Sequence, residues 1–166
     1  MDKEIFKIKS IIYKAKNMTK HLTLRNIIRA ASAFLAFVGF IFMFFNQVEV
    51  TAQGKLNFVD SFFGNHGSPL AFVGYILLIV ASLTTVGMIF LTVAEEKKRY
   101  VYLFLAAVLV VASIFVFIEG AIITSNINLD GITARLLFAP AFAGILAIFS
   151  ALGLCFAEFI TDKQLG

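Results

Sequence analysis

Four long, predominantly apolar runs, residues 27–46, 70–94, 100–124 and 136–157, constrain this chain more than any other feature. Each is long enough to cross a hydrocarbon layer of about 30 Å, which takes about 20 residues at about 1.5 Å rise per residue. Inside lipid every backbone N–H and C=O needs a partner within the spanning unit, so such a run is a helix or a strand of a closed barrel. None of the four shows the polar–apolar alternation of a barrel strand. The expected fold is therefore an all-α membrane protein, a four-transmembrane-helix bundle forming one domain over residues 1–166. Composition agrees, with 60% hydrophobic and only 14% charged residues, against a charged share of about 25% in soluble domains.

The first run is preceded by a basic stretch too long for a signal-peptide n-region, and no small-residue cleavage site follows Phe45-Asn46, so it is read as retained. Basic residues set the expected orientation. Lys3, Lys7, Lys9, Lys14, Lys16, Lys20, Arg25 and Arg29 precede or open the first run, Lys97, Lys98 and Arg99 separate the second from the third, and Lys163 follows the fourth. Lys55 and Arg135 fall on the other side. The positive-inside rule then places both termini in the cytoplasm of a multi-pass cell-membrane protein. The net charge of +4 is thereby a topology and lipid signal, and no nucleic-acid partner is expected.

Residues 3–22 are patterned without being apolar enough to insert. At 100° per residue Ile5, Ile8, Ile11, Ile12, Ala15, Met18 and Leu22 share one face, with lysines opposite and flanking. This predicts an N-terminal amphipathic interfacial helix whose Lys3, Lys7, Lys9, Lys14, Lys16 and Lys20 meet anionic lipid head groups, at about 1 kcal/mol each. It is read either as a plain basic anchor or as a lipid-sensing or partner-docking arm.

Between the first two runs lies the one sizeable loop, 47–69. Its first part, Gln47 to Val59, holds two short alternating β-type runs about a glycine-containing turn, which predicts a small extracytoplasmic β-hairpin. Its second part, Asp60 to Pro69, sets paired aromatics among turn formers and is expected to fold back along the membrane surface. Phe58, Phe62, Phe63 and His66 are the partner contacts this loop offers. Residues 95–99 read as a tight cytoplasmic turn, and 125–135 as a short second outer segment with a turn at Asp130-Gly131.

Helices in lipid associate through small side chains. Ala139, Ala143, Ala147 and Ala151 recur every four residues in the fourth run. Ser32, Ala36 and Gly39, Gly74, Ala81 and Thr85, and Ala106, Ser113 and Gly120 supply stripes in the other three. Packing within the chain is the first use of these stripes, and homo-oligomerisation the competing one.

Few residues point to chemistry. Glu119, the one acidic residue inside a run, lies about a turn from the outer end of the third helix, and Arg135 opens the fourth at a similar level. A Glu119–Arg135 ion pair is the expected arrangement, with an ion or substrate site at Glu119 as the alternative. Glu158 and Asn46 read as interfacial caps. His66 with Asp60 or Asn65 is a poor metal donor set, and phosphate loops, Ser-His-Asp arrangements and helical zinc motifs are absent from the sequence. No catalytic or metal-binding residue and no cofactor is expected. Cys155 is the single cysteine, which excludes an intramolecular disulfide.

Four spans, an inside N-terminus and a β-forming first outer loop larger than the second resemble the claudin-type tetraspan plan. The likeness is one of topology and loop asymmetry. Claudin-type proteins carry a tryptophan-containing motif and a cysteine pair in that loop, whereas this chain has no Trp and its cysteine lies in the fourth run.

The expected function is a non-catalytic accessory subunit, scaffold or sensor of a membrane complex, meeting a membrane-protein partner through its outer loop and basic arm. A small transporter or oligomeric channel using Glu119 is the alternative. A lipid-directed enzyme built on Glu95, Glu96, Glu158 or Asp162 with His21 ranks last.

Overall fold

The computed structural model describes residues 23–51, 54–127 and 132–159. The amphipathic segment 3–22 with its six lysines and His21, the Asp130-Gly131 turn, and Asp162 and Lys163 lie outside these described residues.

Four long helices form the bundle: α1 (Leu24–Ile41), α3 (Pro69–Phe90), α4 (Glu95–Phe117) and α6 (Phe138–Phe159). With the 3-10 turn Phe42–Phe44 extending α1, and with α5 (Glu119–Ile127) continuing α4 past a break at Ile118, all four are long and apolar enough to cross a membrane. Each long helix packs against two neighbours in a closed ring, α1 on α3, α3 on α4, α4 on α6 and α6 back on α1. At one end, between α1 and α3, stand β1 (Val48–Val50), β2 (Gly54–Lys55) and the short α2 (Phe58–Phe63); β3 (Ala134–Leu136) precedes α6.

Local chemistry explains the helix starts. Thr23, Asn57 and Ser68 each accept a hydrogen bond from the backbone N–H three residues on, and Pro69 occupies the first turn of α3, where a missing N–H costs nothing. Helix α4 begins earlier than the charge run suggests. Glu95 and Glu96 form its first turn rather than a loop, because carboxylates favour the positive end of a helix dipole, and the connection shrinks to residues 91–94.

The four small-residue stripes face inward. Ala139, Ala143, Ala147 and Ala151 are buried, as are Ser32, Ala36 and Gly39, Gly74, Ala81 and Thr85, and Ala106, Ser113 and Gly120. Two serines add hydrogen bonds between helices, Ser82 Oγ donating to Ala33 O at 2.8 Å and Ser150 Oγ to Ser32 O at 2.7 Å. The outward faces carry large side chains, among them Phe34, Leu83, Phe104, Phe149, Leu152 and Phe156, all exposed. So continuous an apolar girdle is foreign to a monomeric soluble protein. Among the helix glycines the closest approach to the backbone of another helix falls at Gly74, where an added Cβ would stand 3.0 Å from the backbone oxygen of Ala112 on α4. Gly74→Val is therefore expected to force α3 from α4 and lower stability by about 1–3 kcal/mol, measurable as an earlier midpoint in SDS-titrated unfolding followed by circular dichroism.

The expected hairpin is present, with Glu49 opposite Lys55 and Val50 opposite Gly54, the latter at φ +78° in the left-handed region that glycine tolerates. It is part of a larger unit. Strand β3 pairs antiparallel with the other edge of β1, giving the order β2-β1-β3. Residues 134–136 therefore belong to a strand, and the fourth helix starts at Phe138, beyond the expected 136. Side chains alternate across the sheet. Val48 and Val50 on β1, with Ala134 and Leu136 on β3, pack with Ile123 and Ile127 of α5, while Glu49 and Arg135 point away from that core.

Candidate functional site

Among the described residues the buried charged groups lie at the two ends of the bundle, with serines and Thr85 between them. At the end remote from the sheet, Arg29 of α1 is fully buried. Its guanidinium donates from Nε to Glu158 Oε1 at 2.8 Å and from Nη2 to Glu158 Oε2 at 3.1 Å, the two-pronged geometry that suits a carboxylate. Nη1 donates to Asn26 Oδ1 at 2.9 Å and to Glu95 Oε2 at 3.1 Å, and the guanidinium carbon lies 4.0 Å from the centroid of the Tyr102 ring. Lys98 Nζ and Arg25 Nη1 also approach Glu95, at 3.3 and 3.9 Å. One arginine thus ties α1 to α6 and, across the diagonal of the ring, to α4.

This cluster is not what the sequence suggests residue by residue. Arg29 reads there as one more basic residue of an N-terminal anchor, Glu95 as part of a solvated turn and Glu158 as an interfacial cap. The available signal was a charge pattern: an arginine inside the first apolar run and a glutamate just past the end of the last lie at the same end of antiparallel helices. Such charges bury only in company.

Around the sheet the second group forms. Gln47, just after α1, is fully buried; its amide donates to the carbonyls of Phe42 and Met43 at 2.8 and 3.0 Å and also to that of Phe45. Those carbonyls close the first spanning unit, and Gln47 serves as its cap. Its Oε1 accepts the hydroxyl of Tyr75 on α3 at 2.6 Å. Glu119 lies within electrostatic reach of Tyr75, is fully buried, and has neither carboxyl oxygen hydrogen-bonded among the described residues.

The expected Glu119–Arg135 pair is therefore not formed. Arg135 sits on β3 rather than at the start of a helix, and its Nη2 meets Glu49 Oε2 at 2.7 Å directly across the sheet. Strand alternation is the cause, since it sends Arg135 to the exposed face and turns Leu136 toward Gly120, the neighbour of Glu119.

The loop residues expected to meet a partner divide. Phe62 is buried, its ring 5.7 Å from that of Tyr75 and 5.9 Å from that of Phe72, because the segment forms α2 and turns one aromatic into the bundle. Phe63 stays largely exposed, and Phe58 opens α2. His66 is exposed but engaged: its Nδ1–H donates to Asn126 O at 3.1 Å, while Asn126 Nδ2 donates to Gly67 O at 3.0 Å, stapling the loop to α5. A cavity of about 380 Å³ lies beside it, lined by Lys55, Asp60, Asn65 and His66 over Ile123 and Ile127. Among the described residues no three His, Cys, Asp or Glu side chains cluster as metal ligands.

Four apolar helices closed into a ring, with charge confined to the ends, place the chain with multi-pass helical membrane proteins. No family profile, no curated protein and no solved structure matches the chain.

Proposed function

We propose that this is a non-catalytic subunit, scaffold or sensor of a membrane complex in the cell membrane. Its termini lie in the cytoplasm and its three-stranded sheet outside, and it meets a membrane-protein partner through the sheet end and the basic N-terminal arm. The observation that carries this reading is the Arg29 cluster. The charged groups there are engaged with one another, Arg29 with Glu158, Glu95 and Asn26, and Glu95 with Lys98, as in a structural tie rather than a site awaiting a substrate. The charge bias of the loops supports the orientation. It also puts the tie at the cytoplasmic boundary, with Glu119 about 36 Å away along α4 and α5 at about 1.5 Å per residue, near the opposite one. Anionic lipid head groups are the natural ligands of the lysines at 3–20.

The test is the mass of the protein isolated from its own host membrane directly into lipid nanodiscs. A stoichiometric second protein is expected, and a bare monomer or a homo-oligomer overturns the reading. The second reading, a small transporter or oligomeric channel, is favoured by the unpartnered carboxyl of Glu119. Under it Glu119→Gln abolishes flux of ions or small solutes in proteoliposomes. Under the first, the wild type has no such flux to lose.

A further inference from the structure

Among the described residues, the side-chain donors of Tyr75, Gln47 and Thr124 are committed to other acceptors. Tyr75 has one O–H, directed to Gln47 Oε1; Gln47 has one NH₂, directed to the carbonyls that end the first span. Thr124, a turn further along α5, donates to Gly120 O at 2.9 Å and accepts from Ala134 N, also at 2.9 Å. The charged and titratable groups on the surrounding elements are likewise engaged or remote. Glu49 of β1 and Arg135 of β3 pair with each other, Lys55 of β2 is exposed, and His66 is tied to Asn126. Helices α1, α3 and α6 bring no charged side chain to this end, since Arg25, Arg29 and Glu158 all belong to the remote cluster. An ionised carboxylate buried without a donor or a counter-charge is among the most costly arrangements a protein can hold. A neutral carboxylic acid is not, and it carries a donor of its own.

We propose that Glu119 is a closed proton-binding site, neutral while β3 covers α5 and able to release its proton only when β3 lifts. The cover is specific. Leu136 packs on Gly120, with its backbone N and Cγ each 3.4 Å from where a Cβ would stand, and Thr124 clamps Ala134 through its hydroxyl. Proton release at Glu119 is thereby linked to the same sheet that Glu49 and Arg135 present to the outside. This inference goes beyond the subunit reading and does not depend on it: a partner that moves β3 makes the site a sensor, but the proton is held with or without one.

Infrared spectroscopy of the protein in lipid nanodiscs tests it. At neutral pH the wild type is expected to show the carbonyl stretch of a protonated carboxylic acid, absent from Glu119→Gln, in which a neutral amide replaces the neutral acid without a change of fold. Thr124→Val keeps the acid but removes the clamp, and proton–deuteron exchange of that band should quicken on the order of tenfold or more. No acid band at neutral pH in the wild type means an ionised Glu119 and overturns the proposal. A band whose exchange is as fast in the wild type as in Thr124→Val overturns the closed cover. Should Glu119→Gln fail to fold, band loss on raising the pH of the wild type, with the slow exchange of a covered group, supports the same assignment; loss at the ordinary carboxylate range overturns it.

Discussion

Replacing Arg29 with methionine is expected to destabilise the bundle by about 3–5 kcal/mol, the range for removing one partner of a buried ion pair. Methionine fills much of the space but leaves Glu158, also buried, without the counter-charge and donors that Arg29 supplies. Contact with the Tyr102 ring is lost as well, at about 1 kcal/mol. Glu95 suffers less, being half exposed and retaining Lys98. Two comparisons show that the cost comes from the orphaned charge. Glu158→Met alone should also be strongly destabilising, because it strands Arg29. Arg29→Met combined with Glu158→Met should recover most of the loss, since apolar side chains of similar volume can replace a buried pair at little or no cost. Unfolding of each variant by SDS titration in micelles, followed by circular dichroism, gives the three values. A double variant as unstable as the sum of the single ones would show that the cluster does more than neutralise itself.

At the sheet end the corresponding experiment is Gln47→Leu, with an expected loss of about 2–4 kcal/mol from several buried polar groups left unsatisfied. Leucine removes the donor for the carbonyls of Phe42, Met43 and Phe45 and the acceptor for the Tyr75 hydroxyl. Tyr75→Phe, which removes only one bond and leaves the cap in place, should cost about 1 kcal/mol. The pair should be coupled: once Gln47 is leucine, the Tyr75 hydroxyl has lost its acceptor and its removal becomes nearly neutral or favourable. Hydrogen exchange supplies a second readout. In Gln47→Leu the amides of Val48 and Val50 should exchange faster than in the wild type, while those near Arg29 at the far end of α1 should not change. Uniform acceleration along α1 would mean that Gln47 supports the whole helix rather than its end.

The two ends differ in how far ordinary residue patterns reveal them. An alternating Val48-Glu49-Val50 run beside a glycine is enough to expect a hairpin, because turn and alternation are adjacent in the chain. The third strand is three residues long and its partner lies more than eighty residues away, so no local pattern announces it. Its absence from the sequence reading displaced Arg135 into a helix and with it created the expected ion pair with Glu119. Phe62 and Phe63 show the same limit on a smaller scale: adjacent phenylalanines in a loop look alike until α2 turns one toward Tyr75.

What the sequence by itself determined is the class of fold, the number and approximate extent of the four long helices, and which face of each turns inward. The physical reason is that these depend on quantities local to each segment: the length of an apolar run, the obligation of backbone groups to pair within it, and a four-residue recurrence of small side chains. What only the tertiary structure decided is the partner of each buried charge. Arg29, Glu95 and Glu158 come from three different helices, and Gln47, Tyr75 and Glu119 from three other segments. A charge is tolerated inside such a bundle only through what faces it across the helix interfaces, and that facing is set by packing, not by neighbours along the chain.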